Sequence, residues 1–178
     1  MKLLKTIYRY KKINIKGKTF LREAVRGIIF REGKLLMIYS PVNGDYKFPG
    51  GGVDADESYH EALHREINEE AGATVIAITG EFGKMLEYSN AIEEDYETFK
   101  MYSYYYFCKI EKGFGVQRLD DYEEELGFRP IWVDIERALE TNKKLLAESN
   151  PAPRWTRREV FVLEMLRKNL GKISLTRK

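Results

Sequence analysis

One stretch of about twenty-five residues limits the fold more than any other: a breaker-rich loop that runs straight into a crowded acidic helix. Pro49-Gly50-Gly51-Gly52 ends a short extended Tyr46-Lys47-Phe48 segment, and Glu57–Ala71 then has helix-compatible residues with no internal proline. Asp54 and Glu57 stand at capping-box spacing just before it. At about 100° per residue, Glu66, Glu69 and Glu70 share an arc of roughly 100° on such a helix. Leu63 and Ile67 run beside that arc, so the helix can anchor in a core while presenting acids at an opening. Close carboxylates repel, which leaves three readings: a divalent cation such as magnesium, hydration at a surface, or another charge network. Arg65 lies beside the arc and about two turns from Glu57, either as a charge pair that fixes the loop or as a phosphate contact. His60 and His64 point away from the arc and have no third ligand, so no zinc site is signalled.

The remaining sequence reads as alternating strands and helices. Ala24–Phe30 and Leu35–Ser40 flank Arg31-Glu32-Gly33-Lys34 and predict a hairpin, with peripheral strands expected within Leu3–Phe20. Thr74–Thr79 is β-prone, and Glu87–Glu97 reads as a polar connection before the aromatic run Phe99–Ile110. Both parities of that run are apolar enough for a central strand buried on two faces, although its tyrosines could also supply a base-stacking platform. Phe128–Val133 predicts another strand, Asp134 a cap for a helix over Ile135–Leu146, and Trp155–Leu170 a helix with apolar residues at Val160, Leu163 and Leu166. At 178 residues and 43% hydrophobic content, one layered α/β or α+β domain over 1–178 is expected. Residues 1–22 would be an N-terminal elaboration and 154–178 a C-terminal helix with a basic tail.

The net charge of +2 conceals strong segmentation. Residues 1–22 carry eight basic and no acidic side chains, residues 154–178 eight basic and two acidic, and the middle is correspondingly acidic. Basic termini are therefore available to an anionic ligand. Cys108 is the only cysteine, which excludes an intrachain disulfide and a cysteine-rich zinc site. It is expected as a buried strand residue in a reducing compartment. No long apolar run or secretory start occurs, so a cytoplasmic location without membrane insertion is expected.

Residues 51–73 resemble the Nudix hydrolase signature G-x5-E-x7-R-E-U-x-E-E-x-G-U, with Ala73 at the last apolar position and every fixed polar and glycine position matched. The preceding Phe48-Pro49-Gly50 and the strand order are similar as well. The resemblance implies an α/β fold, a three-layer αβα sandwich with a mixed sheet. It also implies divalent-metal-dependent cleavage of a nucleoside diphosphate linked to another moiety, by water attack on phosphorus. Gly51 and Gly72 would then make the loop–helix–loop turns, Glu57 would support Arg65, and Glu66, Glu69 and Glu70 would face the metal, Mg2+ with Mn2+ as a substitute. Members of the family take their general base from the signature helix or from a later loop. Glu69 is the expectation for the first, and Glu125 leads Glu123 and Glu124 for the second.

On the substrate side, Arg26, Lys47 and Arg129 could neutralise phosphate, and Phe48 or Tyr88 could stack on a base. A nucleotide sugar, a modified nucleoside triphosphate or a dinucleoside polyphosphate would each suit such a site. The competing reading is a nucleotide-responsive or nucleic-acid-binding module that retains the fold and engages a polymer through its basic termini. A homodimer is allowed by the family resemblance.

Overall fold

The computed structural model describes residues 1–149 and 151–175, with side chains through Leu170. In chain order the elements are β1 (Leu3–Tyr8), β2 (Thr19–Arg31), β3 (Lys34–Ser40), β4 (Asp45–Lys47), α1 (Tyr59–Ala71), β5 (Val75–Asn90) and β6 (Thr98–Ile110). There follow α2 (Asp121–Glu125), β7 (Arg129–Val133), α3 (Ile135–Glu148) and α4 (Thr156–Leu175). Residues 176–178 of the expected basic tail lie outside the described residues.

The hairpin forms as expected, with β2 and β3 joined by Glu32-Gly33, both at positive φ, and paired at Phe30 with Leu35 and Arg31 with Lys34. Two positive-φ residues in a two-residue loop match the right-handed twist of the strands they join. Strand order in the mixed sheet is β1-β5-β6-β2-β3-β4, with β7 antiparallel to β3. β1 runs parallel to β5 and β2 parallel to β6, whereas β5 and β6 are antiparallel. The central position of β6 follows from its having apolar residues on both parities.

Alternation along the strands divides the core into two layers. Val25, Ile29, Leu36, Ile38, Tyr104 and Tyr106 pack with Leu63 and Ile67 of α1. Ile28, Leu35, Met37, Phe48 and Tyr105 pack with Leu139 of α3 and Val162, Leu163 and Leu166 of α4. The result is the three-layer αβα sandwich, α1 on one face and α3 with α4 on the other. Leu63 and Ile67 are fully buried, and each contributes about 1.5–3 kcal/mol by leaving water. Cys108 is buried as expected, and burial pushes its thiol up to about 12.

Three local expectations are corrected. The cap of α1 is Ser58, which exchanges bonds with Glu61 in a capping box, while Asp54 and Glu57 close a turn one step earlier in the loop. β5 runs through Asn90, so Glu87–Asn90 is strand and the connection begins at Ala91. The pairing of Tyr88 with Lys100 and of Asn90 with Thr98 draws these polar residues into the ladder. Asp134 does occupy the N-cap of α3, but its side chain makes no capping bond. Among the described residues no helix is long and apolar enough to cross a membrane.

α1 stops at Gly72, which has φ 62° and closes the helix through its N–H to the Asn68 carbonyl. A Cβ at this position would stand 2.4 Å from the Gly115 carbonyl oxygen. Gly72→Ala therefore combines left-handed strain with a backbone collision, and we expect a stability loss of about 1–3 kcal/mol in urea denaturation. An unchanged midpoint would refute this account of the helix end.

Candidate active site

The loop before α1 is assembled on Arg65. Its Nε donates to Glu57 Oε2 at 3.1 Å, and its Nη2 closes a second contact to Glu57 Oε1. The same Nη2 donates to the Gly52 carbonyl at 3.0 Å, while Nη1 reaches Glu66 at 2.8 Å and Glu69 at 3.1 Å. Of its two expected roles, the structure therefore shows Arg65 as the internal clamp between loop and helix. The clamp is charge-assisted on both sides: Glu57 is held below the usual carboxylate range by its hydrogen bonds from Arg65, and Arg65 is pushed up chiefly by Glu57.

Glu66 and Glu70 lie at the other end of the loop. A Cβ on Gly51 would stand 2.1 Å from Glu66 Oε2, so a side chain there would displace this carboxylate from its seat. Burial and the neighbouring charge of Glu70 raise the Glu66 pKa, with Arg65 opposing. Glu70 is buried, accepts the Gly50 N–H at 2.8 Å and pairs with the Lys47 ammonium. Burial pushes Glu70 towards the neutral form, but Lys47, a hydrogen bond with Glu123 and the field of Arg26 outweigh it and hold the pKa low. Glu123 lies 3.9 Å from Lys47, and burial together with Glu70 raises it to about 8.

The three signature carboxylates thus share one helix face, yet cations and amides divide them. Glu69 and Glu66 turn to Arg65, Glu66 packing beside Gly51, and Glu70 turns to Lys47 and Gly50. Among the described residues no three His, Cys, Asp or Glu side chains form a ready-made metal cage.

Several expected residues sit elsewhere than the sequence suggested. Glu125 ends α2 exposed, while Glu123, two residues earlier, is the carboxylate turned towards Glu70 and Lys47. Arg26 points inward: it is buried, its Nε and Nη1 have no protein partner, and it acts on Glu66 and Glu70 through its field. Phe48 is fully buried edge-on against Tyr105, 5.5 Å between centroids, which removes it from base stacking. Tyr88 stacks on Tyr8, and Arg129 lies over Tyr39 beside a separate small cavity that Lys34 and Arg137 also line.

Other site residues carried no sequence signal. The Gln117 amide bridges the Glu70 and Phe128 carbonyls at 2.5 and 3.1 Å, pinning the end of α1 to the later loop. Phe128 and Trp155 surround the Lys47 ammonium at 4.5 and 6.0 Å. Trp155 also borders a groove of about 940 Å3, whose other walls include Tyr122, Arg9, Arg154 and Arg157. A groove of that size is at the upper end for small-molecule sites. Phe128 and Trp155 were visible in the sequence only as the first residues of an expected strand and an expected helix.

A glycine loop that runs into a carboxylate-bearing helix on an αβα sandwich defines the class of protein. The model of the NUDIX domain matches residues 20–156, and the chain belongs to that family. Among curated relatives, a CTP pyrophosphohydrolase of Escherichia coli (strain K12) is 42% identical over 64 residues, 34% of this chain and 46% of the relative. An RNA pyrophosphohydrolase of Campylobacter jejuni subsp. jejuni serotype O:23/36 (strain 81-176) is 28% identical over 93 residues, 47% of this chain and 60% of the relative. The chain thus spans less than two thirds of the length of either relative. A solved NUDIX hydrolase from Nitrosomonas europaea is 19% identical with a TM-score of 0.49, over 68% of this chain and 78% of that one.

Asp45, two residues before Lys47, yields a pH test. Its buried carboxylate accepts Trp155 Nε1–H at 2.6 Å and the Thr156 hydroxyl at 3.1 Å. Burial raises its pKa to about 6, with the charge of Glu159 adding and the bonds from Trp155 and Thr156 and the charge of Lys47 opposing. The folded state therefore keeps this proton between about pH 4 and about pH 6, and stability falls as pH rises through that window. Relative to Asp45→Asn, the wild-type chain should lose about 3 kcal/mol between those limits. Parallel stability curves for the two proteins would remove Asp45 as the cause.

Proposed function

We propose that the chain is a divalent-metal-dependent pyrophosphohydrolase that cleaves a nucleoside diphosphate linked to another moiety, by attack of water on phosphorus. The observation that carries this reading is the seating of Glu66 and Glu70 against the glycine loop, Glu70 on the Gly50 N–H and Glu66 packed beside the Cα of Gly51. The relatives named CTP pyrophosphohydrolase and RNA pyrophosphohydrolase support the same bond class.

The donor set fits a hard cation. Glu66 and Glu123 are both raised by burial and by Glu70, the signature of negative charge that a divalent ion would relieve. Mg2+ suits all-oxygen ligands, and Mn2+ is the natural substitute. Glu66, Glu69 and Glu70 would hold it, and when bound it would supply Lewis-acid polarisation of phosphate oxygens and a more acidic water.

The protein's own groups do the rest. Arg65 keeps Glu66 and Glu69 on the loop side of the helix, and Lys47 and Arg26 keep Glu70 ionised at neutral pH. Glu69, with about a third of its side chain accessible, is the leading general base, and Glu123 is the alternative on the later element. The Trp155 groove would take the nucleotide, its rings offering stacking surface and Arg9, Arg154 and Arg157 offering charge to phosphates.

A nucleotide library incubated with Mg2+ and then Mn2+, with product masses and labelled-water placement, tests the reading. Turnover should vanish on chelation, and Glu66→Gln or Glu69→Gln should each cost about 10²–10⁴-fold in rate while thermal melts stay near wild type. Saturable binding without turnover by folded, metal-loaded protein would instead identify a nucleotide-responsive module.

A further inference from the structure

α1 covers only part of its face of the sheet. At its first turn Tyr59 stacks on Tyr104 with centroids 4.5 Å apart, and beyond that pair the face continues with no helix over it among the described residues. Strand register places Lys84 beside Tyr104, Lys100 beside Tyr88, and Tyr8 beside Tyr88. Tyr102 lies between them along β6, two residues from Lys100 and two from Tyr104, so all share one parity. The side chains form a continuous alternation. Tyr8 and Tyr88 stack at 5.3 Å and 8°, Lys100 lies over Tyr88 and Tyr102 at 6.0 and 5.0 Å, and Lys84 lies over Tyr102 and Tyr104 at 5.0 and 5.7 Å.

We propose that this face, formed by Tyr8, Tyr88, Lys100, Tyr102 and Lys84, is a binding platform for single-stranded nucleic acid. Flat rings on adjacent strands accept bases without regard to sequence, and lysines between them meet the phosphates. Charge on the face itself favours a polyanion, the acidic Glu93, Glu94, Asp95 and Glu97 lying in the connection beyond its Asn90–Thr98 end. Glu23, the acidic residue paired with Tyr102 across β2 and β6, already accepts the Tyr59 and Tyr104 hydroxyls at 2.7 and 2.6 Å. β1 lies at the sheet edge, and the chain leaving Tyr8 carries exposed Lys11, Lys12, Lys16 and Lys18 in a segment with no acid before Glu23.

Magnitudes favour exchange of the internal contacts for a ligand. Each lysine–ring contact on this half-buried face is worth about 0.5–2 kcal/mol, whereas a base stacked on an aromatic ring is worth about 1–3 kcal/mol. A lysine displaced from a ring also gains a phosphate. The platform meets the active-site side of the molecule at the end of β1 and β5, where Arg9 and Ser89 line the Trp155 groove next to Tyr8 and Tyr88.

The test is fluorescence anisotropy with labelled oligouridylate and oligodeoxythymidylate of about 12 nucleotides, in chelator so that no turnover enters. The wild-type chain should bind at least one of the two strands, with affinity falling about tenfold between about 50 and about 200 mM salt. The two arms separate RNA from DNA as the source. Lys84→Glu with Lys100→Glu should weaken binding at least about tenfold, and Tyr8→Ala about fivefold or more. Tyr8 is 53% exposed on an edge strand, so its variant decides the matter even if the double charge reversal unfolds. No binding at low salt, or wild-type affinity in Tyr8→Ala, would overturn the proposal. So would a wild-type dimer in sedimentation that the variants dissociate, since the face would then be an interface between two copies. Because the assay needs no metal, its failure would leave the hydrolase reading untouched.

Discussion

Glu70 is the point on which the site turns. It sits in the last turn of α1, faces inward, and would cost several kcal/mol as an unpaired buried charge. Lys47 from β4 and the Gly50 amide satisfy it. That one carboxylate therefore ties the end of the helix to the short strand and to the glycine loop. Glu66 lies one helical turn earlier beside Gly51, and Arg65 completes the loop by gripping Glu57 and the Gly52 carbonyl. The same arrangement explains the rigidity asked of the loop. Positioning oxygens for phosphate chemistry requires side chains whose own partners fix them.

The two faces of the sheet carry different chemistry because strand side chains alternate. On the α3 and α4 side a buried charge network runs from Arg9 through Glu87 and Arg158 to Glu159, which in turn accepts the Phe48 amide at 3.3 Å. This chain of pairs starts at the groove and ends beside the glycine loop. Burial alone would penalise Arg158, but Tyr105, Glu87 and Glu159 overcompensate and raise its pKa well above the ordinary value. On the α1 side the first half of the face is a dry core, and the second half is the tyrosine–lysine surface. The difference lies in the length of α1, whose thirteen residues cover β2 and the near half of β6 but leave the ends of β5 and β1 bare.

Residues close in sequence were read well because their geometry is local. The helix arc of Glu66, Glu69 and Glu70, the Glu57–Arg65 pair and the stop at Gly72 all depend on separations of a few residues, where helix periodicity alone sets direction. The hairpin at Glu32-Gly33 and the two-faced burial of β6 are legible for the same reason. The burial of Phe48 and Arg26 is not legible, because residue type shows an aromatic ring or a charge but not which side of a sheet it faces. The end of β5 was misjudged because Glu87–Asn90 is polar, and pairing with β6 rather than intrinsic propensity makes it strand.

By itself the sequence determined that a glycine loop must precede a helix with three acids on one face, and that these acids share it with an arginine. Chain connectivity and a 3.6-residue period suffice for that. Only the tertiary structure decided which distant groups complete the site: Lys47 and Gly50 for Glu70, Glu123 rather than Glu125 on the later helix, Gln117 across the helix end, and Trp155 at the groove. Those choices depend on burial. A charge withdrawn from water takes whatever partner the packing brings within reach, and packing is a property of the whole sheet rather than of any one segment.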